Sequence, residues 1–470
     1  MRVCAAWPFG WGVVVLRFFR RRGSGPIQTA PPDVSPPLPR SPADLAVLSA
    51  RQRVEEWRRA AQLDARALPG LGAALNELGV ALSVVRDESG ALEPTREAAG
   101  IYRRLAEEDP AAFRPALAIA LSNLGLRLSK TGNERAALEP AREAVAILRS
   151  LAEEDSAAHL PALASTLNRF GTRLVDAGDD RAGFETIREA IGIRRRLADQ
   201  DPAAHLPELA VMLNALGARD DEALAASREA VDIRRRLAET QPLTHLPGLA
   251  MSLANLGVRL SRAGDTAAAV RATREAIDIY RRAPFTIPFR TDLAVALNDL
   301  GLRLAEDGDR GGAVDAAAES VGILRDLYSK DPDVHLPLLA LALHNLGRRL
   351  SELGQEQEAL RSAREAVDIR RRLAESGTAR HLSDLARSLW SAASIGAAHG
   401  IDLDASLDAA DEAISIYRAL PGQGAGELGD DLAEAERTRT RIAERLGPAG
   451  TPTPRGSGGR RSDGSRTPAE

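Results

Sequence analysis

Cysteine is almost absent from this 470-residue chain: Cys4 stands alone. No disulfide within the chain and no multi-cysteine metal site can form, and a fold without such staples suits a reducing cytoplasm. Aromatic residues make up only 3% of the chain against 44% hydrophobic residues overall, so the core has to be built from Ala, Leu, Val and Ile. Small aliphatics suit close helix packing and argue against a β-sandwich or barrel. Lysine is nearly missing too, with Lys130 and Lys330 the only two among 62 basic residues. The arginine excess could serve phosphate or carboxylate recognition, but the abundant Ala, Gly and Pro favour codon bias in a GC-rich genome. A net charge of −4 and a pI near 6.1 imply no general affinity for nucleic acid.

A long hydrophobic run occurs only near the start. Residues 3–16 (VCAAWPFGWGVVVL) are apolar but shorter than the ~20 residues of a membrane span, and Pro8 interrupts them. Arg17, Arg20, Arg21 and Arg22 follow where a signal peptide would place its cleavage site. Residues 1–42 therefore read as a disordered or misassigned leader, Pro-rich from 25 to 42, and no membrane partner is expected. Residues 447–470 have almost nothing to bury and read as a disordered tail.

Catalytic signatures are missing as well. There is no Gly-x4-Gly-Lys-Ser/Thr loop, no Gly-x-Ser-x-Gly and no His-Glu-x-x-His. The glycine-rich Gly422–Gly426 has no strand before it, and carboxylates are too evenly spread to single out an acid–base pair. Neither an enzyme nor a cofactor is expected.

What the chain does have is repetition. Leu-x-x-Leu-Gly, with Phe170 as a variant, returns at Gly79, Gly125, Gly171, Gly217, Gly257, Gly301 and Gly347, at spacings of 46, 46, 46, 40, 44 and 46 residues. A period in this range means stacked units, each too small to bury its apolar face alone. In residues 161–202, Leu163, Leu167, Phe170 and Leu174 form one helical stripe. Pro161 fits a first helical turn. Gly178 fits a left-handed stop, and Asp179 or Asp180 a cap for the next helix. That second helix turns Phe184, Ile187, Ala190, Ile191, Ile193 and Leu197 inward. Each unit is thus two antiparallel helices, here named helix A and helix B, joined by a Gly-Asp turn that recurs at Gly132-Asn133, Gly264-Asp265 and Gly308-Asp309.

These residues resemble the tetratricopeptide repeat family. The matches from Gly125 are Leu121, Leu124-Gly125, Leu128, Gly132-Asn133, Ala137 and Ala144; Leu253, Leu256-Gly257, Leu260, Gly264-Asp265, Ala269 and Ala276 follow from Gly257. Leu343, Leu346-Gly347, Leu350, Gly354, Ala359 and Ala366 follow from Gly347. The units are longer than the family's usual one, Leu replaces its aromatic positions, and its closing proline comes later, at Pro110, Pro202 and Pro332. In this they are similar to the lengthened repeats of kinesin light chains and of bacterial signalling proteins. The resemblance implies an all-α, right-handed solenoid of antiparallel helix hairpins over roughly residues 44–420. A half repeat of helix B type is expected at 43–68, seven hairpins at 69–380, a degenerate eighth at 381–420 and a capping helix at 427–446. The repeat after Gly217 lacks six residues at its turn, which predicts a shortened helix A. Pro94 and Pro140 should kink their helices slightly.

Asparagine recurs in helix A. Asn123, Asn255 and Asn345 stand two residues before the glycine, and Asn76, Asn168, Asn214 and Asn298 stand three before it. Helix propensity does not explain them. The resemblance implies groove positions where asparagines grip the main chain of a bound peptide; the alternative is a structural ladder between repeats. Arg127, Arg173, Arg219, Arg259, Arg303 and Arg349 follow the glycine. They read as packed or solvated stems before they read as a clamp for an acidic partner. The triplets Arg194–Arg196, Arg234–Arg236 and Arg370–Arg372 are expected to complement the negative end of helix B. His159, His205, His245, His335 and His381 share one position near the start of helix A. They would lie roughly 8–10 Å apart, too far to share a metal. The resulting expectation is a cytoplasmic scaffold that binds a protein or peptide, with the sensor arm of a signalling system as the alternative.

Overall fold

A computed structural model describes residues 42–216, 220–282, 287–375, 378–420 and 427–447. The expectations on residues 1–41, on the tail beyond Gly447 and on Gly217, Arg219 and Gly422–Gly426 fall outside these. Among the described residues there is no strand. The chain runs α1 (Pro42–Leu63), α2 (Leu68–Val84), α3 (Glu88–Glu108), α4 (Pro110–Lys130), α5 (Glu134–Glu154), α6 (Ser156–Asp176), α7 (Asp180–Gln200), α8 (Pro202–Ala215), α9 (Asp220–Thr240), α10 (Pro242–Arg262) and α11 (Thr266–Arg282) in a first compact unit. A second unit, from Phe285, holds α12 (Ile287–Glu306), α13 (Arg310–Tyr328), α14 (Pro332–Leu353), α15 (Glu356–Ala374), α16 (Ala379–His399), α17 (Leu403–Ala419) and α18 (Glu427–Leu446). Within each unit every helix packs on its neighbours in sequence. The fold is an all-α solenoid of helical hairpins, with helix A at even numbers and helix B at odd ones up to α17.

The turns follow from local chemistry. Gly178 stands at φ +93°, a left-handed conformation that costs a residue with a β-carbon more than it costs glycine. Asp179 then accepts from the Ala182 amide at 3.2 Å, occupying a donor that the first turn of α7 would leave unpaired. At the other end of α7, Asp201 closes the helix and caps α8 through the Ala204 amide at 3.1 Å.

Two expectations about proline need correction. Pro161 does not open a helix: α6 starts at Ser156, capped by Asp155, and Pro161 lies inside it. Pro115, Pro207, Pro247 and Pro337 are placed likewise. The prolines that look like closing residues, Pro110, Pro202 and Pro332, instead occupy the first helical turn. No N–H partner is needed there.

Packing explains the Leu-Gly signature. Leu121 and Leu167 are fully buried, each stabilising by about 1.5–3 kcal/mol. A β-carbon on Gly171 would stand 2.7 Å from the Gly183 carbonyl oxygen, so glycine here lets helices A and B touch backbone to backbone. From helix B, Ala98, Ala144, Ala190, Ala230 and Ala276 sit fully buried at one register position. In α1 the corresponding position is Arg53, exposed and bonded to Glu77 at 2.8 Å. At the far end, α18 buries Ala435, Thr438 and Ile442, and it is tied to α16 by Arg387–Asp431 at 3.1 Å and by Trp390 to Thr438 at 3.2 Å. Polar, charged outer faces at both ends are what stacked repeats need for solubility.

Candidate partner-binding face

The recurring asparagines and the described arginines after the glycine lie on helix A, and the structure divides the asparagines into three environments. Asn123 Nδ2 donates to Asn76 Oδ1 at 2.9 Å, and Asn345 Nδ2 donates to Asn298 Oδ1 at 2.9 Å. Each dyad joins consecutive repeats, and all four residues are half-buried. Asn214 is buried and donates instead to Ser252 Oγ at 2.7 Å. Asn255 is buried, and Asn168 is half-buried with its Oδ1 lacking any hydrogen-bond partner.

The arginines after the glycine are withdrawn from solvent. Arg127, Arg173, Arg259, Arg303 and Arg349 are all buried. Arg127 meets Glu88 at 2.8 Å, and Lys130 reaches the same carboxylate at 2.7 Å. Arg303 donates to the Asp299 carbonyl at 2.6 Å, and Arg349 pairs with Glu352 at 3.0 Å. Arg259 bonds the Leu216 and Asn214 carbonyls. Arg173 leaves Nε and Nη1 sealed and without an acceptor. Desolvation, with Arg169 and Arg127 nearby, pulls it down to about 10.

The expectation that the arginine triplets complement the helix end holds for α15, which has Arg371 and Arg372 in its last turn, but α7 and α9 continue past their triplets and carry no basic residue in the last turn. The residues of a triplet do different things. Arg195, Arg235 and Arg371 each reach a carboxylate on the next helix B, at Glu229 (2.6 Å), Glu275 (2.8 Å) and Glu412 (2.5 Å). Arg103–Glu143, Arg149–Glu189 and Arg325–Glu365 continue the same exposed ladder, each at 2.6 Å. Arg194 and Arg370, one residue earlier, are buried between hairpins. Arg194 Nη2 donates to the Pro161 carbonyl at 2.9 Å and to Ser165 Oγ at 2.7 Å, and it lies 2.8 Å from Glu208. Arg370 Nη1 donates to the Asp384 carbonyl at 2.7 Å and to Ser388 Oγ. The signal for this role was present in sequence as an acid fourteen residues downstream, Glu208 after Arg194 and Asp384 after Arg370.

The histidines are separate. His205 lies 3.2 Å from Arg194, and His335 bonds Thr291 at 3.2 Å and the Asp331 carbonyl at 3.0 Å. Among the described residues no group of three or more His, Cys, Asp or Glu could hold a metal ion. His344, which the sequence did not single out, is buried within reach of Ser388 Oγ at 3.4 Å. Burial and the positive charge of Arg370, Arg348, Arg387 and Arg349 hold it well below the usual histidine range.

No curated protein matches the sequence. Among solved structures, a STAND signal-transduction ATPase with a tetratricopeptide repeat sensor from Pyrococcus horikoshii is similar at 10% identity and TM-score 0.50. The match covers 85% of this chain and 55% of that one, so this chain spans about half that protein's length. BtubC (BKLC) from P. vanneervenii is 23% identical over 51% of this chain and 92% of its own, at TM-score 0.43. A Podosopora anserina protein of kinesin-light-chain type with nearly identical TPR-like repeats is 21% identical over 46% of this chain and 97% of its own, at TM-score 0.36. Residues 117–158, 249–283 and 339–377 match the tetratricopeptide repeat family, so this chain carries tetratricopeptide repeats, a type that generally serves protein–protein interaction.

Proposed function

We propose that the chain is a non-enzymatic, cytoplasmic scaffold that holds a segment of a partner protein against its helix A face. The observation that carries this reading is the pair of asparagine dyads. Each inter-amide bond uses one donor and one acceptor, while two primary amides together offer four N–H donors and two carbonyl acceptors. The remaining N–H and C=O capacity of Asn76–Asn123 and Asn298–Asn345 suits the alternating groups of an extended backbone. The buried Arg127, Arg173, Arg259, Arg303 and Arg349 stand behind this face as internal support. Hydrogen–deuterium exchange of the full chain with a captured partner tests the proposal. Protection gained along α4, α10 and α14 supports it, and protection confined to α5, α11 and α15 defeats it.

A second reading makes the array the sensor arm of a signalling system whose effector is a separate polypeptide. The likeness to the Pyrococcus horikoshii sensor favours it at the level of fold. An NTPase or protease-like protein encoded beside this one, and bound by it, would be the expected finding.

A further inference from the structure

Three buried arginines occupy the same register position of helix B in three repeats: Arg194, Arg234 and Arg370. Fourteen residues after each, near the start of the next helix A, stand Glu208, Gly248 and Asp384. The first arginine has its carboxylate at 2.8 Å, and the third bonds the Asp384 carbonyl, with the Asp384 charge offsetting part of the effect of burial. Arg234 alone of the three faces a glycine. It is 8% exposed, yet among the described residues no hydrogen bond or ion pair reaches its guanidinium, and its Nε, like that of Arg194, is sealed without an acceptor. Burial pulls its affinity for the proton down, and no carboxylate offsets that. The guanidinium lies where a β-carbon on Gly248 would collide with it. Val211, on the preceding helix A, is 45% exposed at the register position of Ser165, the hydroxyl that Arg194 uses.

A buried cation without a partner is unfavourable unless a counter-charge arrives. Arg194 carries its counter-charge within the chain as an ion pair, and Arg370 has the charge of Asp384 nearby. At Arg234 the acid is missing, and the guanidinium itself lies against Gly248, in the space where a side chain there would begin. We propose that Arg234 and Gly248, between α9 and α10, form a seat for a carboxylate of the bound partner, supplied from outside where Glu208 supplies it from within. This rests on the scaffold reading and names its chemistry: a partner segment with an acidic side chain, or a terminal carboxylate, beside an apolar residue for Val211.

The test uses the full chain and an array of short blocked peptides in matched pairs, Glu in one member and Gln in the other. A third arm has Gln with a free C-terminal carboxylate, and inorganic phosphate is the competitor. The expected result is that peptides with a carboxylate bind about tenfold or more tightly than their amide twins. Arg234→Gln should abolish that difference while leaving the helical circular dichroism unchanged. Gly248→Glu, which supplies the internal acid, should abolish it too, and Gly248→Ser should retain part of it. The Glu arm against the free-terminus arm tells side chain from chain end, and competition by phosphate with no preference among peptides would overturn the proposal in favour of a free anion. Equal binding of Glu and Gln peptides, an unaltered preference in Arg234→Gln, or no binding in any arm overturns it as well. If Gln peptides bind and lose affinity on Asn123→Ala but not on Arg234→Gln, the seat fails while the scaffold reading stands.

Discussion

Arg259 Nη2 donates to the Leu216 carbonyl at 3.0 Å and to the Asn214 carbonyl at 3.3 Å, so a side chain of one repeat closes the helix of the repeat before it. That helix, α8, has 14 residues where α6 has 21, because six residues are missing from its turn. A helix that stops early leaves carbonyls without partners. Asn214 and Leu216 are both buried, so water cannot take the place of Arg259. Arg259→Met should destabilise the first unit by about 2–3 kcal/mol, measured by urea unfolding, while Arg262→Met, at an exposed position, should change stability by less than about 0.5 kcal/mol.

Gly171 in helix A and Gly192 in helix B should respond in opposite directions. Gly171→Val drives a side chain into the Gly183 carbonyl and Ile187, and overpacking of this kind costs about 1–3 kcal/mol. Gly192 lies inside α7 with nothing near its missing β-carbon, so Gly192→Ala should raise stability by about 0.5–1 kcal/mol through helix propensity. Thermal denaturation of the two variants decides both signs.

His344 predicts a pH dependence. Its folded-state pKa is depressed, whereas the unfolded chain takes up a proton at about pH 6.5. Below that pH the unfolded state binds a proton that the folded state refuses, so this residue's contribution is intact above about pH 6.5 and declines by about 1.4 kcal/mol per pH unit beneath it. His344 stands three residues before Gly347, where Asn76, Asn168, Asn214 and Asn298 stand in their repeats. His344→Asn should flatten the fall in stability between about pH 6.5 and 5, followed by unfolding at stepped pH.

The repeat period, the helix pairs and the shortened α8 were legible because glycine and leucine at fixed spacing leave little choice of packing. The proline positions were not, because Asp155 and Asp201 cap their helices six residues ahead of Pro161 and Pro207, and a strong cap outweighs an internal proline. The asparagines held a signal that sequence alone left open. In two places an asparagine three before one glycine pairs with one two before the next, Asn76 with Asn123 and Asn298 with Asn345, whereas Asn214, which has Asn255 at that position, donates to Ser252. Asn168 has Ala215 at the corresponding position, and its Oδ1 goes unpartnered. Arg234 stayed hidden because its distinction is what Gly248 lacks, visible only beside the Arg194–Glu208 pair in three dimensions.

Partner recovery on the immobilised full chain, compared between the wild type and a variant with Asn123, Asn255 and Asn345 all changed to Ala, bears most directly on the helix A face as a binding surface. The expected result is loss of the partner with the helical circular dichroism unchanged. Undiminished recovery with the fold intact would contradict it.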